Sequence, residues 1–136
     1  MPTLYTSLRF ETAWLEAQQA FPFKAQPMTI CAYDVDCADM LDLTDPAVLV
    51  AHNLAPSDLS CPWEDIHQRG RTPPSWTMAR RLIDAGISGI LVPSFAAGAG
   101  STDINGVFWD WAPDPPHRVR VVDDFGRLPR DARSWR

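Results

Sequence analysis

The alternation of apolar and polar positions begins abruptly. "PTLYTS" at residues 2–7 reads as an extended segment, and "LRFETAWLEAQQAF" follows at once with helical spacing. Good helix formers fill residues 8–20, Phe10, Trp14 and Ala17 fall along one side, and Ser7 stands where an N-cap belongs. Pro22 marks the stop. Residues 28–35, "MTICAYDV", are rich in β-formers and predict a strand. Asp45, followed by Pro46 at a first helical position, predicts a short helix through Ala51, and another is expected around residues 63–68. "RTPPSWTMARRLIDAG" opens at Thr72 and Pro73 and closes at Gly86, predicting a clearer helix. "GILVPS" is a short apolar run expected as a buried strand ending at Pro93 and Ser94. A flexible loop, "FAAGAGSTD", follows, and "INGVFWDW" and "HRVRVVDD" read as two further strands joined through "APDPP".

The order is strand, helix, strand, several helices, then three strands. It predicts an α+β fold, a largely antiparallel sheet with helices packed on it. Neither GxGxxG nor GxxxxGK[ST] occurs, so a Rossmann or P-loop site is not expected. No repeat, low-complexity tract or linker divides the chain, and 136 residues suit one domain, 1–136.

Composition then narrows the function classes. The net charge of −5 disfavours direct nucleic-acid binding, which needs a concentrated basic surface. Of the 12 basic residues only Lys24 is lysine. Arginine suits phosphate or carboxylate recognition, and the same bias arises from genome composition. Arg127, Arg130, Arg133 and Arg136 make the tail locally basic. Six Trp supply area for a sizeable core. No apolar run is long enough to cross a bilayer and no export signal opens the chain, so no membrane partner is expected. Cys31, Cys37 and Cys61 form an odd set without CxxC spacing, which suggests reduced thiols and a cytoplasmic protein. With His52, His67 and His117 they show no paired ligand spacing, so no metal is expected. Cys61 precedes Pro62 rather than opening a helix, so nothing local activates it as a nucleophile.

Glu16 lies deep in the first helix, with Ala13, Ala17 and Ala20 around it and Tyr5 on the preceding strand. A carboxylate among such neighbours faces either water or a pocket, and spacing alone favours water. Tyr5 by itself reads as a core aromatic, Ser94 as a strand-ending hydroxyl, and Asn105 as a strand-start residue.

Taken together, these pieces resemble a known family. "LYTS" before a helix with an internal Glu, then "GILVPS", "INGVFWDW" and the closing "PDPPHRVRVVDDFGRLPRD" are similar to the RES-domain family, over residues 4–131. The likeness is to the ParT-like branch of RES/Xre toxin–antitoxin systems. The resemblance implies a fold like that of diphtheria-type ADP-ribosyltransferases and a toxin that consumes NAD+. It implies cleavage of the nicotinamide–ribose bond, with ADP-ribose passing to a protein acceptor or to water or phosphate. It further implies a cognate Xre/ParS-like antitoxin that covers the pocket in a hetero-oligomer.

By the same resemblance the family glutamate falls on Glu16, its serine on Ser94 and its tyrosine on Tyr5. Glu16 would steady positive charge on the ribose, Tyr5 would stack on the nicotinamide, and Ser94 would bond the ribose or position Glu16. Asn105 would contact the dinucleotide. In relatives, a glycine-rich segment of the type "GGRFN" stands shortly before "LYTS" and carries the family arginine. Here Met1 falls after that point, and Arg9, which follows Tyr5, does not replace it. The expectation is a shortened domain with weaker NAD+ binding. The alternative is an inactive shortened module that binds antitoxin.

Overall fold

Asp45 and Pro46 start a helix for local reasons: the Asp45 carboxylate accepts from the Ala47 N–H at 2.8 Å, and proline is pre-set for the first helical turn. The structure, a computed structural model, describes residues 2–19, 28–131 and 133. In chain order the elements are β1 (Leu4–Ser7), α1 (Phe10–Gln19), β2 (Tyr33–Cys37), β3 (Met40–Asp42), α2 (Pro46–Ala51), α3 (Pro56–Leu59), α4 (Trp63–Gln68), α5 (Pro74–Asp84), β4 (Gly89–Pro93), β5 (Ile104–Phe108) and β6 (His117–Val121). The expected α+β class holds.

The main sheet has the order β1-β5-β4-β3, and β2 pairs with β6 in a separate two-stranded sheet. β5 runs antiparallel to both β1 and β4, whereas β3 is parallel to β4. A parallel pair needs a long crossover, and α2 to α5 all lie within it. α5 closes at Gly86, whose φ of +86° favours glycine. Leu43, Leu49, Met78, Leu82, Ile90 and Val107 form the buried core, so α2 and α5 pack over the β4–β5 part of one sheet face.

Register decides what else lies on that face. Ile90 stands opposite Val107, Val107 opposite Tyr5, and Val92 opposite Asn105. Side chains alternate along a strand, so these residues share one face. The helices cover its β4 side and leave the β1 side open, where Tyr5 is 74% exposed. Tyr5 is therefore no core aromatic.

Several local expectations shift. Ser7 ends β1 instead of capping α1, because β1 is drawn in to pair with β5 as far as Ser7 and Asn105. The strand expected at residues 28–35 begins at Tyr33 and ends at Cys37, since β6 offers partners only from Tyr33 onward. β3 and α3 were not legible as separate elements. α5 has Pro73 at its N-cap, with no side-chain cap from Thr72. The loop after β4 carries hydrogen bonds of its own: Ser94 N–H donates to the Asp103 carbonyl at 2.8 Å, Asp103 N–H to Gly100 and Ala99 N–H to Ala96. The stop assigned to Pro22 lies outside the described residues. Among those described, no helix is long and apolar enough to cross a membrane.

Candidate functional site

Glu16 faces a pocket. Ser94, at the end of β4, and Asn105, at the start of β5, both donate to Glu16 Oε1, each at 2.5 Å. Gln19 Nε2, one turn on along α1, donates to Oε2 at 2.7 Å. Each donor is itself oriented. The buried Ser94 hydroxyl accepts from the Ala96 N–H at 3.2 Å, which leaves its proton for Glu16. The Ser7 hydroxyl donates to Asn105 Oδ1 at 2.7 Å, so the amide nitrogen is the end that meets the carboxylate. Three donors thus hold one carboxylate in a single orientation.

A second layer fixes α1 itself. Thr12 is fully buried, and its hydroxyl donates to Asp103 Oδ1 at 2.6 Å. Asp103 Oδ2 accepts the Gly100 N–H at 2.8 Å, and Arg9 lies 3.9 Å away while bonding the Thr102 hydroxyl. The Gly100 N–H first, then the Thr12 hydroxyl, hold the Asp103 carboxyl below its ordinary value against the cost of burial, and the Arg9 charge adds the least. This polar contact anchors α1, not the apolar side made by Phe10 and Trp14, which are 63% and 48% exposed. Two of the six Trp expected to fill the core, Trp14 and Trp63, are about half exposed.

Tyr5 and Glu16 line two adjoining spaces. One is a hollow of about 230 Å³ whose walls include Ser7, Ala13 and Asn105. The other is an open cleft of about 1400 Å³, running over Val92 and Val107 to α4 and α5. Small-molecule pockets typically occupy about 300–1,000 Å³, so a dinucleotide-sized molecule is not too large for the cleft. Tyr5 presents an aromatic face with a hydroxyl to both spaces.

The four residues singled out in the sequence, Tyr5, Glu16, Ser94 and Asn105, are therefore brought together. Ser7, Gln19, Thr12 and Asp103 also belong to this network, though not singled out by the sequence as site residues. Of these only Gln19, three residues after Glu16 on one helix, carried a local signal.

The histidines and thiols lie elsewhere. His117 Nε2 meets Asp39 Oδ2 at 3.0 Å and Nδ1 meets Asp110 Oδ2 at 2.9 Å, a bridge from β6 to two turns. The bond to Asp39 chiefly, with Asp110, raises the imidazole pKa against desolvation. Cys37 is 3.4 Å from the Ser88 hydroxyl and Cys61 3.3 Å from that of Ser75. Among the described residues, no group of three or more His, Cys, Asp or Glu is arranged to hold a metal ion.

No curated protein and no solved structure matches the chain. A family model does: the RES domain, over residues 1–131. That family is associated with NAD+-using toxins, which generally pair with antitoxins. Since the match spans nearly the whole sequence, the chain belongs to the RES-domain family.

Proposed function

We propose that the protein is the toxin of a bacterial toxin–antitoxin pair and cleaves NAD+ at the nicotinamide–ribose bond, passing ADP-ribose to a protein acceptor or to water or phosphate. The observation that carries this is the Glu16 carboxylate, held by Ser94 and Asn105 at the edge of a cleft that Tyr5 also lines. The bond from ribose to the nicotinamide nitrogen breaks with its electron pair going to that nitrogen. Nicotinamide leaves neutral, so no acid is required, and the sugar carbon becomes cationic, as in glycoside hydrolysis. A fixed carboxylate beside the sugar stabilises that charge without having to reorganise.

Glu16 is the catalytic residue. Ser94 and Asn105 act as positioning residues through their bonds to it, and Tyr5 offers its ring to the departing nicotinamide. The acceptor atom then bonds the same sugar carbon and releases its proton. An Xre/ParS-like antitoxin is the proposed partner. The exposed Phe10 and Trp14, on the helix that carries Glu16, support a protein cover.

The test is nicotinamide release from NAD+ by the full chain and by Glu16→Gln, which keeps the shape and removes the charge. Loss of one preorganised electrostatic group predicts a rate roughly 10²–10³-fold lower. Equal rates, or no nicotinamide from the unaltered protein, would overturn the assignment. Labelled NAD+ in lysate distinguishes a protein acceptor, which retains label, from water or phosphate.

A further inference from the structure

The cleft extends well past Glu16, and its far wall has chemistry of its own. Trp63 on α4 and Trp76 on α5 both line it, with ring centroids 6.3 Å apart and planes tilted by 34°. His67 packs on Trp76 at 4.8 Å. Trp63 remains 51% exposed, so core packing does not account for its placement. Arg80 lines the same wall. It follows Trp76 by four residues, which puts both on one face of α5.

Among the described residues Arg80 is the one cation lining the cleft, and no carboxylate there forms an ion pair with it. Its neighbour Arg81 is used structurally, donating to the His52 carbonyl at 2.8 Å. Glu16, Glu64 and Asp65 make the remaining charge of the cleft lining negative. A phosphate-bearing ligand entering such a cleft needs a cation, and a guanidinium binds phosphate oxygens in a two-pronged fashion. Tryptophan faces beside it suit a nucleobase, which stacks on aromatic rings whatever its identity.

We infer that the α4–α5 end of the cleft is the subsite for the adenosine diphosphate half of the dinucleotide, with Arg80 gripping the pyrophosphate and the Trp63–Trp76 pair receiving the adenine. This rests on the proposal that the cleft takes NAD+ with its nicotinamide riboside at Glu16. It assigns affinity to one end of the cleft and bond cleavage to the other.

ADP is the probe, since it carries the pyrophosphate and base without the reacting bond. Its binding to the full chain is followed by tryptophan fluorescence and calorimetry, and the KM for NAD+ is measured alongside. ADP is expected to bind the unaltered protein and Glu16→Gln alike. Arg80→Gln should weaken it by about tenfold or more, the loss of a charge-assisted bond, with the penalty on NAD+ falling on KM rather than kcat. Trp63→Ala should weaken ADP and blunt the fluorescence change. Arg120→Gln, on β6, should alter neither. ADP that fails to bind the unaltered protein, or binds Arg80→Gln with full affinity, overturns the subsite. If Glu16→Gln stops nicotinamide release while Arg80→Gln changes nothing, the subsite falls and the activity stands. If ADP binding depends on Arg80 but Glu16→Gln keeps full turnover, the subsite stands and the role of Glu16 falls.

Discussion

Replacing Asn105 by aspartate places a carboxylate where an amide nitrogen now sits 2.5 Å from Glu16 Oε1. Two unit charges roughly 4 Å apart repel by about 1 kcal/mol in water and by about 4 kcal/mol at an effective dielectric of ~20. Glu16 and Asn105 are both half-buried, so the pair lies between these limits, at about 2 kcal/mol. The carboxyl introduced at 105 sits beside a carboxylate, so its value is raised in the fold. A carboxyl with a raised folded value contributes stability that is complete below its unfolded value of roughly 4 and is lost as pH rises through the folded value. Asn105→Asp should therefore match the unaltered protein near pH 4, where the protonated acid again donates to Glu16. It should lose about 2 kcal/mol by pH 7, or roughly 6–10 °C in Tm for a chain of this size. Asn105→Ala is the comparison, since it removes the hydrogen bond without adding a charge and should lose stability at both pH values. Thermal unfolding between pH 4 and 7 gives both curves. Parallel curves for the two variants would refute the juxtaposition of Asn105 and Glu16 on which the site is built.

His117→Gln tests the bridge between β6 and the turns at Asp39 and Asp110. Because the imidazole pKa is raised from 6.5, the bridge stabilises fully below that value and weakens as pH rises through the raised one. The fall in Tm as pH rises through the raised value should vanish in the variant, and an identical profile would show that His117 does not titrate against its carboxylates. At Gly89, an added Cβ would lie 2.5 Å from the Val107 carbonyl oxygen and 2.7 Å from Met40 Sδ. Gly89→Ala should cost about 1–3 kcal/mol as overpacking. An unchanged denaturant midpoint would mean that β4 has more room than the β3–β4–β5 packing allows.

Elements with local signals could be read from the residues alone. The Asp45 cap with Pro46, the α5 helix ending at Gly86, the apolar run of β4 and the strand at Ile104–Phe108 follow from hydrogen bonds, propensities and burial within a few residues. The Glu16-bearing helix was visible on the same grounds, and the run of motifs around it pointed to the family. Where Glu16 faces was not visible, because spacing on a helix marks a side but not what packs against it. Long-range pairing decided that. Joining β1 to β5 brought Ser7 to Asn105, 98 positions away in sequence, and the buried Thr12–Asp103 contact, 91 apart, docked α1 so that its carboxylate met Ser94 and Asn105. The same pairing turned Ser7 from an expected cap into the group that orients an amide. The cleft, too, exists only because the crossover helices cover part of one sheet face and leave Tyr5 bare beside it. Contacts across such separations depend on which surfaces are buried together, and no window of sequence records that.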